Sequence, residues 1–201
     1  MNKNIGKLIT FYGINNIGKS THAKLLVERL RSEGYESEYV KFPVYDLNPT
    51  GEFINGVLRG AAKKQEITEE ELQMWYTLNR FQFEPTLKKW LAEGKIVVAE
   101  DYTATGLAWG AAKGAKLEWL IEINRYLLKE DFAVHMKGER QIQAREVNHI
   151  HENNDDLVES CRFILEELGK KYGWKDVVIQ PTIDATKKII WETVKNYLDG
   201  K

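Results

Sequence analysis

The 201-residue chain has one cysteine, four prolines and three methionines, and almost no net charge. The single thiol, Cys161, excludes an internal disulfide and a cysteine-based zinc site. It falls in an apolar-periodic segment and reads as a small core residue. A formal net charge of −1 supplies no bulk field toward nucleic acid or an anionic membrane. No apolar run approaches the length of a membrane span, and Met1-Asn2-Lys3-Asn4 lacks the apolar region of a signal peptide. No Pro-, Gly- or Ser-rich linker, repeat or low-complexity tract divides the chain. The expectation is one cytoplasmic domain over 1–201, with no nucleic acid and no membrane as partner. What is present suits a folded core: 43% hydrophobic and 29% charged residues are ordinary for a globular protein. Six Trp and nine Tyr exceed what packing alone requires, which leaves aromatic rings for stacking on a base.

Short apolar, β-rich runs at Lys7–Tyr12, Ser37–Phe42, Lys95–Ala99, Asp131–Lys137 and Lys175–Gln180 read as strands. Helical patterns separate them, near Thr21–Glu33, Thr50–Gly60, Thr68–Ala92, Leu117–Lys129, Asp155–Tyr172 and Asp184–Leu198. Thr68 followed by Glu71 fits a capping box, and Gly94 fits a helix stop. Alternation of this kind implies βαβ units: an α/β fold whose five-stranded parallel sheet has helices on both faces. The polar stretch 140–156 has little apolar periodicity and reads as a surface lid. Ligands of open parallel sheets sit beyond the carboxyl ends of the strands. Four junctions are therefore expected to ring one cleft: Phe42-Pro43, Glu100-Asp101-Tyr102, the polar stretch, and Gln180-Pro181-Thr182.

At the first strand's end, Gly13-Ile14-Asn15-Asn16-Ile17-Gly18-Lys19-Ser20-Thr21 fits G-x-x-x-x-G-K-[ST], the P-loop pattern, between a strand and a helix as that motif requires. Glycines at 13 and 18 let successive backbone N–H groups face an anion, and the following helix adds its positive end. Lys19 is positioned to reach terminal phosphates and Ser20 to bind Mg²⁺. This predicts a P-loop NTPase fold that binds a nucleoside triphosphate. Glu100, at the end of Ile96-Val97-Val98-Ala99, or its neighbour Asp101, offers the carboxylate that a phosphate-bridging Mg²⁺ takes. The other of the two is a candidate general base toward a substrate hydroxyl. Tyr76 and Arg80, at i,i+4, suit stacking on a base and bonding its edge, or alternatively a core stripe with an arginine at its rim. Arg140 and Arg145 are candidate lid arginines that close over transferring phosphates. His149 and His151 invite a metal reading, which the absence of completing ligands rejects.

The ordered set resembles the thymidylate kinase family, in its eukaryote-like branch, over nearly the whole chain. Phe42-Pro43 followed by Thr50-x-x-Phe53-Ile54 is similar to the family's Phe-Pro segment. Tyr76-Thr77-Leu78-Asn79-Arg80 is similar to its Phe-x-x-Asn-Arg motif, and Glu100-Asp101-Tyr102-Thr103-Ala104-Thr105-Gly106 stands where it has Asp-Arg-Tyr-x-x-Ser-Gly. The resemblance implies γ-phosphoryl transfer from ATP, with Mg²⁺, to dTMP, and a homodimer built on the Thr68–Ala92 and Leu117–Lys129 helices. It implies catalytic roles for Lys19, Arg145, Glu100 and Asp101, with Ser20 and Glu100 at the metal. ATP contacts fall to the P-loop residues with Arg140 and Pro181. Acceptor contacts fall to Asn15, Phe42, Pro43, Tyr45, Tyr76, Arg80, Tyr102, Thr105 and Trp109.

Four positions depart from the family pattern. Asn15 replaces an acidic residue that holds the sugar, and Asn16 replaces a basic one. Tyr45 and Asp101 stand where arginines clamp the acceptor phosphate. Each charge-assisted clamp is worth about 1.5–3 kcal/mol. Their loss opens an alternative, a deoxynucleoside (thymidine) kinase in which Asp101 or Glu100 accepts the 5′-hydroxyl proton. In the first reading, Lys41 or Arg59 takes over the clamp. A third reading is a non-catalytic nucleotide-binding protein. The P-loop lysine, the serine and the strand-end acid stand against it.

Overall fold

The computed structural model describes residues 6–59, 67–140 and 155–200. Strand β1 (Lys7–Tyr12) is followed by helix α1 (Lys19–Ser32), β2 (Ser37–Lys41), α2 (Thr50–Leu58) and α3 (Glu69–Ala92). Next come β3 (Ile96–Glu100), α4 (Thr103–Ala112), α5 (Leu117–Asn124), β4 (Phe132–Lys137), α6 (Asp155–Tyr172), β5 (Lys175–Val178) and α7 (Ile183–Leu198). The five strands form one parallel sheet in the order β2-β3-β1-β4-β5. The expected fold class is therefore the observed one. Every residue of β3 and all but the first of β1 are buried, as central parallel strands covered on both faces require. Helices α1 and α7 pack together, while α4 packs against α3, α5 and α6.

From β1 the chain crosses to the edge strand β2, returns to β3 between them, and then passes to β4 on the other side of β1. The direction of winding thus reverses between β3 and β1, and a reversal of this kind opens a crevice at the carboxyl ends of the strands. Register fixes what meets there. Phe11 of β1 and Lys41 of β2 both pair with Glu100 of β3.

The expected capping box is present: Thr68 Oγ1 accepts from the Glu71 amide at 3.2 Å, and the Glu71 carboxylate accepts from the Thr68 amide at 2.9 Å. Gly94 follows that helix with φ +81° and bonds back to the Leu91 carbonyl. Cys161 is fully buried on α6. Two helices differ from expectation. Helix α4 was not foreseen, because Thr-Ala-Thr-Gly-Leu-Ala-Trp-Gly-Ala-Ala is buried almost all round and has no polar face to set a period. Helix α5 ends at Asn124 rather than Lys129: the Asn124 side chain donates to the Leu120 carbonyl, and its own carbonyl receives the Leu127 amide.

Asn79 joins α3 to the loop after β2. Its side chain accepts from the Val44 amide at 2.8 Å and donates to the Val44 carbonyl and to Thr50 Oγ1, each at 2.9 Å. Asn79 is fully buried, so truncating it strands its partners away from water. Asn79→Ala is expected to lower the unfolding free energy by about 2–4 kcal/mol. Urea unfolding measures this, and a loss below about 0.5 kcal/mol would remove Asn79 as the staple.

Candidate active site

The P-loop wraps on two residues in the left-handed region besides Gly13, namely Asn16 (φ +63°) and Gly18 (φ +89°). Asparagine tolerates that conformation better than most side chains, a physical reason for the residue at 16. At Gly13, a Cβ would come within 2.7 Å of the Ile17 side chain and the Met136 carbonyl. Lys19 is 5% exposed, and its ammonium donates to the Gly13 carbonyl at 2.9 Å and to that of Ile14 at 2.8 Å. It also lies 3.5 Å from Asp101 Oδ1. The loop thus holds its cation ready with weakly bound, exchangeable partners.

Two adjacent carboxylates face this lysine. Glu100, 1% exposed, accepts on Oε1 from Ser20 Oγ at 2.7 Å and pairs there with Lys41 at 3.0 Å. Its Oε2 accepts from the Tyr39 hydroxyl at 2.5 Å. Burial alone would push its carboxyl up, but Lys41, Lys19 and the two hydroxyl donors hold it below the ordinary carboxylate value. Asp101 goes the other way: burial and the neighbouring Glu100 charge push it up against the pull of Lys19. It sits at φ +59° and accepts from Thr105 Oγ1 at 3.1 Å. Pairs of acids whose surroundings drive them apart divide into an ionised ligand and a proton-handling group. Here Glu100 is the ionised one.

A cavity of about 400 Å³ runs from the P-loop to α3 and α4. Among the expected residues, Asn15, Asn16, Gly18, Lys19, Ser20, Thr21, Glu100 and Asp101 line its P-loop end. Phe42, Pro43, Tyr45, Tyr76, Arg80, Thr105 and Trp109 line the other. Arg80, 4% exposed, donates from Nη1 to Asn124 Oδ1 at 2.9 Å, and its Nε has no hydrogen-bond partner among the described residues. Helix α4 comes close to it: a Cβ on Gly106 would lie 2.6 Å from Arg80 Nη2 and 3.0 Å from Gln73 Oε1. Burial pushes the Tyr76 phenol well above its ordinary value, so its ring presents a neutral face.

Several expected residues lie elsewhere. Tyr102 is core rather than cleft wall: it is 1% exposed, packs 5.1 Å from the Phe42 ring, and donates to the Leu128 carbonyl at 3.1 Å. Gly13 and Ile17 shape the loop from behind, Ile17 with its side chain in the core. Pro181 is exposed and away from the cavity, in a turn where the Gln180 amide bonds Thr186 Oγ1 and Thr182 caps α7. Arg140 pairs with Asp155 at 3.1 Å and is not among the cavity's lining. Arg145, His149, His151 and most of the expected lid lie outside the described residues. Sequence reasoning missed Tyr39, Gln73 and Asn124. Tyr39 was legible only through strand register, since it sits two residues before Lys41 on the strand beside Glu100.

Comparison with known proteins agrees with this geometry. The thymidylate kinase family model matches residues 11–190. Protein 251L of Invertebrate iridescent virus 6, named among thymidylate kinases, is 31% identical over 139 residues, 69% of this chain and 63% of its own. A Thermococcus kodakarensis relative is 33% identical over 129 residues, 61% of this chain and 62% of its own. The chain thus matches under two thirds of the length of these two relatives. The Homo sapiens thymidylate kinase is 26% identical over 92% of this chain and 88% of its own. In fold, the Candida albicans thymidylate kinase structure superposes with a TM-score of 0.82 at 21% identity, covering 98% of this chain and 94% of that one. A family match over residues 11–190, on a cleft that joins a P-loop to a wall carrying Tyr76 and the buried Arg80, identifies the chain as a member of the thymidylate kinase family.

Proposed function

We propose that this protein transfers the γ-phosphoryl group of ATP to a deoxynucleoside monophosphate, dTMP, giving dTDP. The observation that carries this is the continuity of one cavity from Lys19 and Ser20 to Tyr76, Arg80 and Trp109. Donor and acceptor then meet without crossing water, and phosphoryl transfer is chiefly a matter of such positioning and charge. The residues present fit a phosphate-bridging Mg²⁺. One ionised carboxylate, Glu100, touches one P-loop hydroxyl, Ser20, and no three-residue metal cage exists among the described residues. Mg²⁺ takes one or two carboxylates plus substrate phosphates rather than an all-protein cage. Ser20 and Glu100 would hold it, and it would neutralise charge between the phosphates.

Lys19 leaves the loop carbonyls for the transferring phosphoryl oxygens, which hydrogen-bond it with full charge rather than partial charge. The P-loop amides of Asn15 to Thr21 hold the remaining phosphates. Tyr76 and Phe42 offer faces to the base, Arg80 its donors to the base edge, and Trp109, Thr105, Pro43 and Asn15 border the sugar. Arg140, Arg145 and Pro181 keep their ATP-side roles as proposals from sequence position. We read 1–201 as one kinase domain of a cytoplasmic enzyme. Its homodimer would use α3, where Met74 and Leu78 are 44% and 50% exposed, together with α5. No helix of the described residues is long and apolar enough to cross a membrane.

One observation favours the second reading, a thymidine kinase: Asp101 lines the cleft beside Lys19 with its carboxylate toward Thr105. A free 5′-hydroxyl benefits from such a base, whereas a phosphate oxygen does not need one.

Lys19→Ala is expected to cut kcat at least about a hundredfold with the fold retained by circular dichroism, since it removes a donor from the developing charge. Retained turnover would refute its role, and an ATP-binding wild type with no turnover on any acceptor would leave only a binding protein. Wild-type turnover of dTMP and thymidine at equal ATP separates the two kinase readings, and Asp101→Asn sharpens the comparison. Asparagine tolerates the same backbone conformation but accepts no proton. The variant should keep or improve dTMP phosphorylation; a selective loss of thymidine phosphorylation in an enzyme that prefers thymidine would establish the base instead.

A further inference from the structure

Gln73, which no sequence motif marks, lines the cavity beside Tyr76 and Arg80. The three stand at i, i+3 and i+7 on α3 and so share one face of the helix. Gln73 is only 2% exposed, and a buried amide needs a partner at each end. Its Nε2 donates to Glu69 Oε1 at 2.8 Å, while Glu69 Oε2 accepts from Lys113, also at 2.8 Å. A carboxylate held by a lysine is an acceptor, so this contact settles which end of the amide is nitrogen. The other end, Oε1, takes no hydrogen bond from the described residues.

Helix α4 seats that end. Gly106 and Gly110, one turn apart, both make room for the glutamine. A Cβ on Gly110 would lie 3.1 Å from Gln73 Cδ, and one on Gly106 would lie 3.0 Å from Gln73 Oε1 and 2.6 Å from Arg80 Nη2. The amide oxygen and the guanidinium nitrogen therefore flank one point of the cavity wall. Arg80 is held through its other terminal nitrogen, Nη1, by Asn124 at 2.9 Å. Both groups are thus fixed from behind, and they present one acceptor beside one donor. The complement of that pair is a ring edge with N–H next to C=O. Thymine has such an edge at N3–H and O4. Cytosine has the reverse, a bare N3 beside an amino group, which would set lone pair against Oε1 and N–H against the guanidinium.

We propose that Gln73 reads the base of the acceptor, its Oε1 accepting from the N3–H group of thymine while Arg80 Nη2 donates to O4. Glu69 is its positioning residue, holding the amide in the orientation that accepts. The inference deepens the dTMP reading and rests on its thymine ring. It makes Gln73 the determinant of thymine over cytosine.

The test is calorimetric binding of dTMP and of 5-methyl-dCMP to the wild type, Gln73→Met, Gln73→Leu and Glu69→Gln, with circular dichroism as the check on folding. The two nucleotides share methyl group, sugar and phosphate, and differ only along the edge in question. The wild type should prefer dTMP at least about a hundredfold, because the reversed edge leaves buried polar groups unpaired. Gln73→Met keeps the length of the side chain without its acceptor and should shrink that preference about tenfold. Glu69→Gln, which lets the amide turn over, should move the ratio the same way by less. A merely structural glutamine would lower both affinities alike. Should Gln73→Met unfold, Gln73→Leu carries the same expectation. An unchanged ratio of dTMP to 5-methyl-dCMP affinity in a folded Gln73 variant overturns the proposal alone. A wild type that binds 5-methyl-dCMP as tightly as dTMP overturns the thymine reading, and the proposal falls with it.

Discussion

A carboxylate almost sealed from solvent stays ionised only where donors and cations replace the water it has lost. Glu100 has such replacements from three directions: Ser20 from the P-loop helix, and Tyr39 and Lys41 from the edge strand β2. Strand register delivers them, since Lys41 pairs with Glu100 across the sheet and Tyr39 lies two residues back on the same face. The contact also docks the start of α1 onto the carboxyl end of β3, so the phosphate-binding loop and the acid beside it are held as one unit. Removing any of these partners would leave a buried charge short of compensation, which costs more than the contact itself gains.

The cavity wall opposite the P-loop has a comparable beam in α3. Tyr76, Asn79 and Arg80 share this helix. Asn79 fastens to it the loop that carries Phe42, Pro43 and Tyr45, while Arg80 is fastened to α5 through Asn124. The wall is thus assembled from three elements but referred to a single helix. Rotation of α3 would shift Tyr76, Arg80 and the loop that carries Tyr45 together. Such coupling suits an enzyme whose rate depends on placing an acceptor oxygen to within a fraction of an ångström.

Local patterns made much of this legible. The strand-loop-helix grammar of Lys7–Arg31, the strand-end acid and the capping box each depend on neighbours in sequence, and each appears as expected. Features that depend on neighbours in space did not show. Helix α4 is buried almost all round and carries no amphipathic period by which its Ala- and Gly-rich sequence could be read. Tyr102, an aromatic just past a strand end, has the sequence context of a ligand residue, yet the Phe42 ring, itself packed edge-on against Phe83, draws it into the core. The Asn at 16 looked like a broken motif, whereas its backbone conformation gives that residue a reason of its own.

Gly106 sets the boundary of the cavity by what it omits. With Arg80 Nη2 2.6 Å and Gln73 Oε1 3.0 Å from where a Cβ would stand, a single methyl group there would displace the guanidinium that lines the cavity. Helix propensity favours alanine at this position by about 1 kcal/mol, so local selection and pocket geometry pull in opposite directions. In a genetic screen for lost function, position 106 would therefore score like an active-site residue although it has no side chain with which to act.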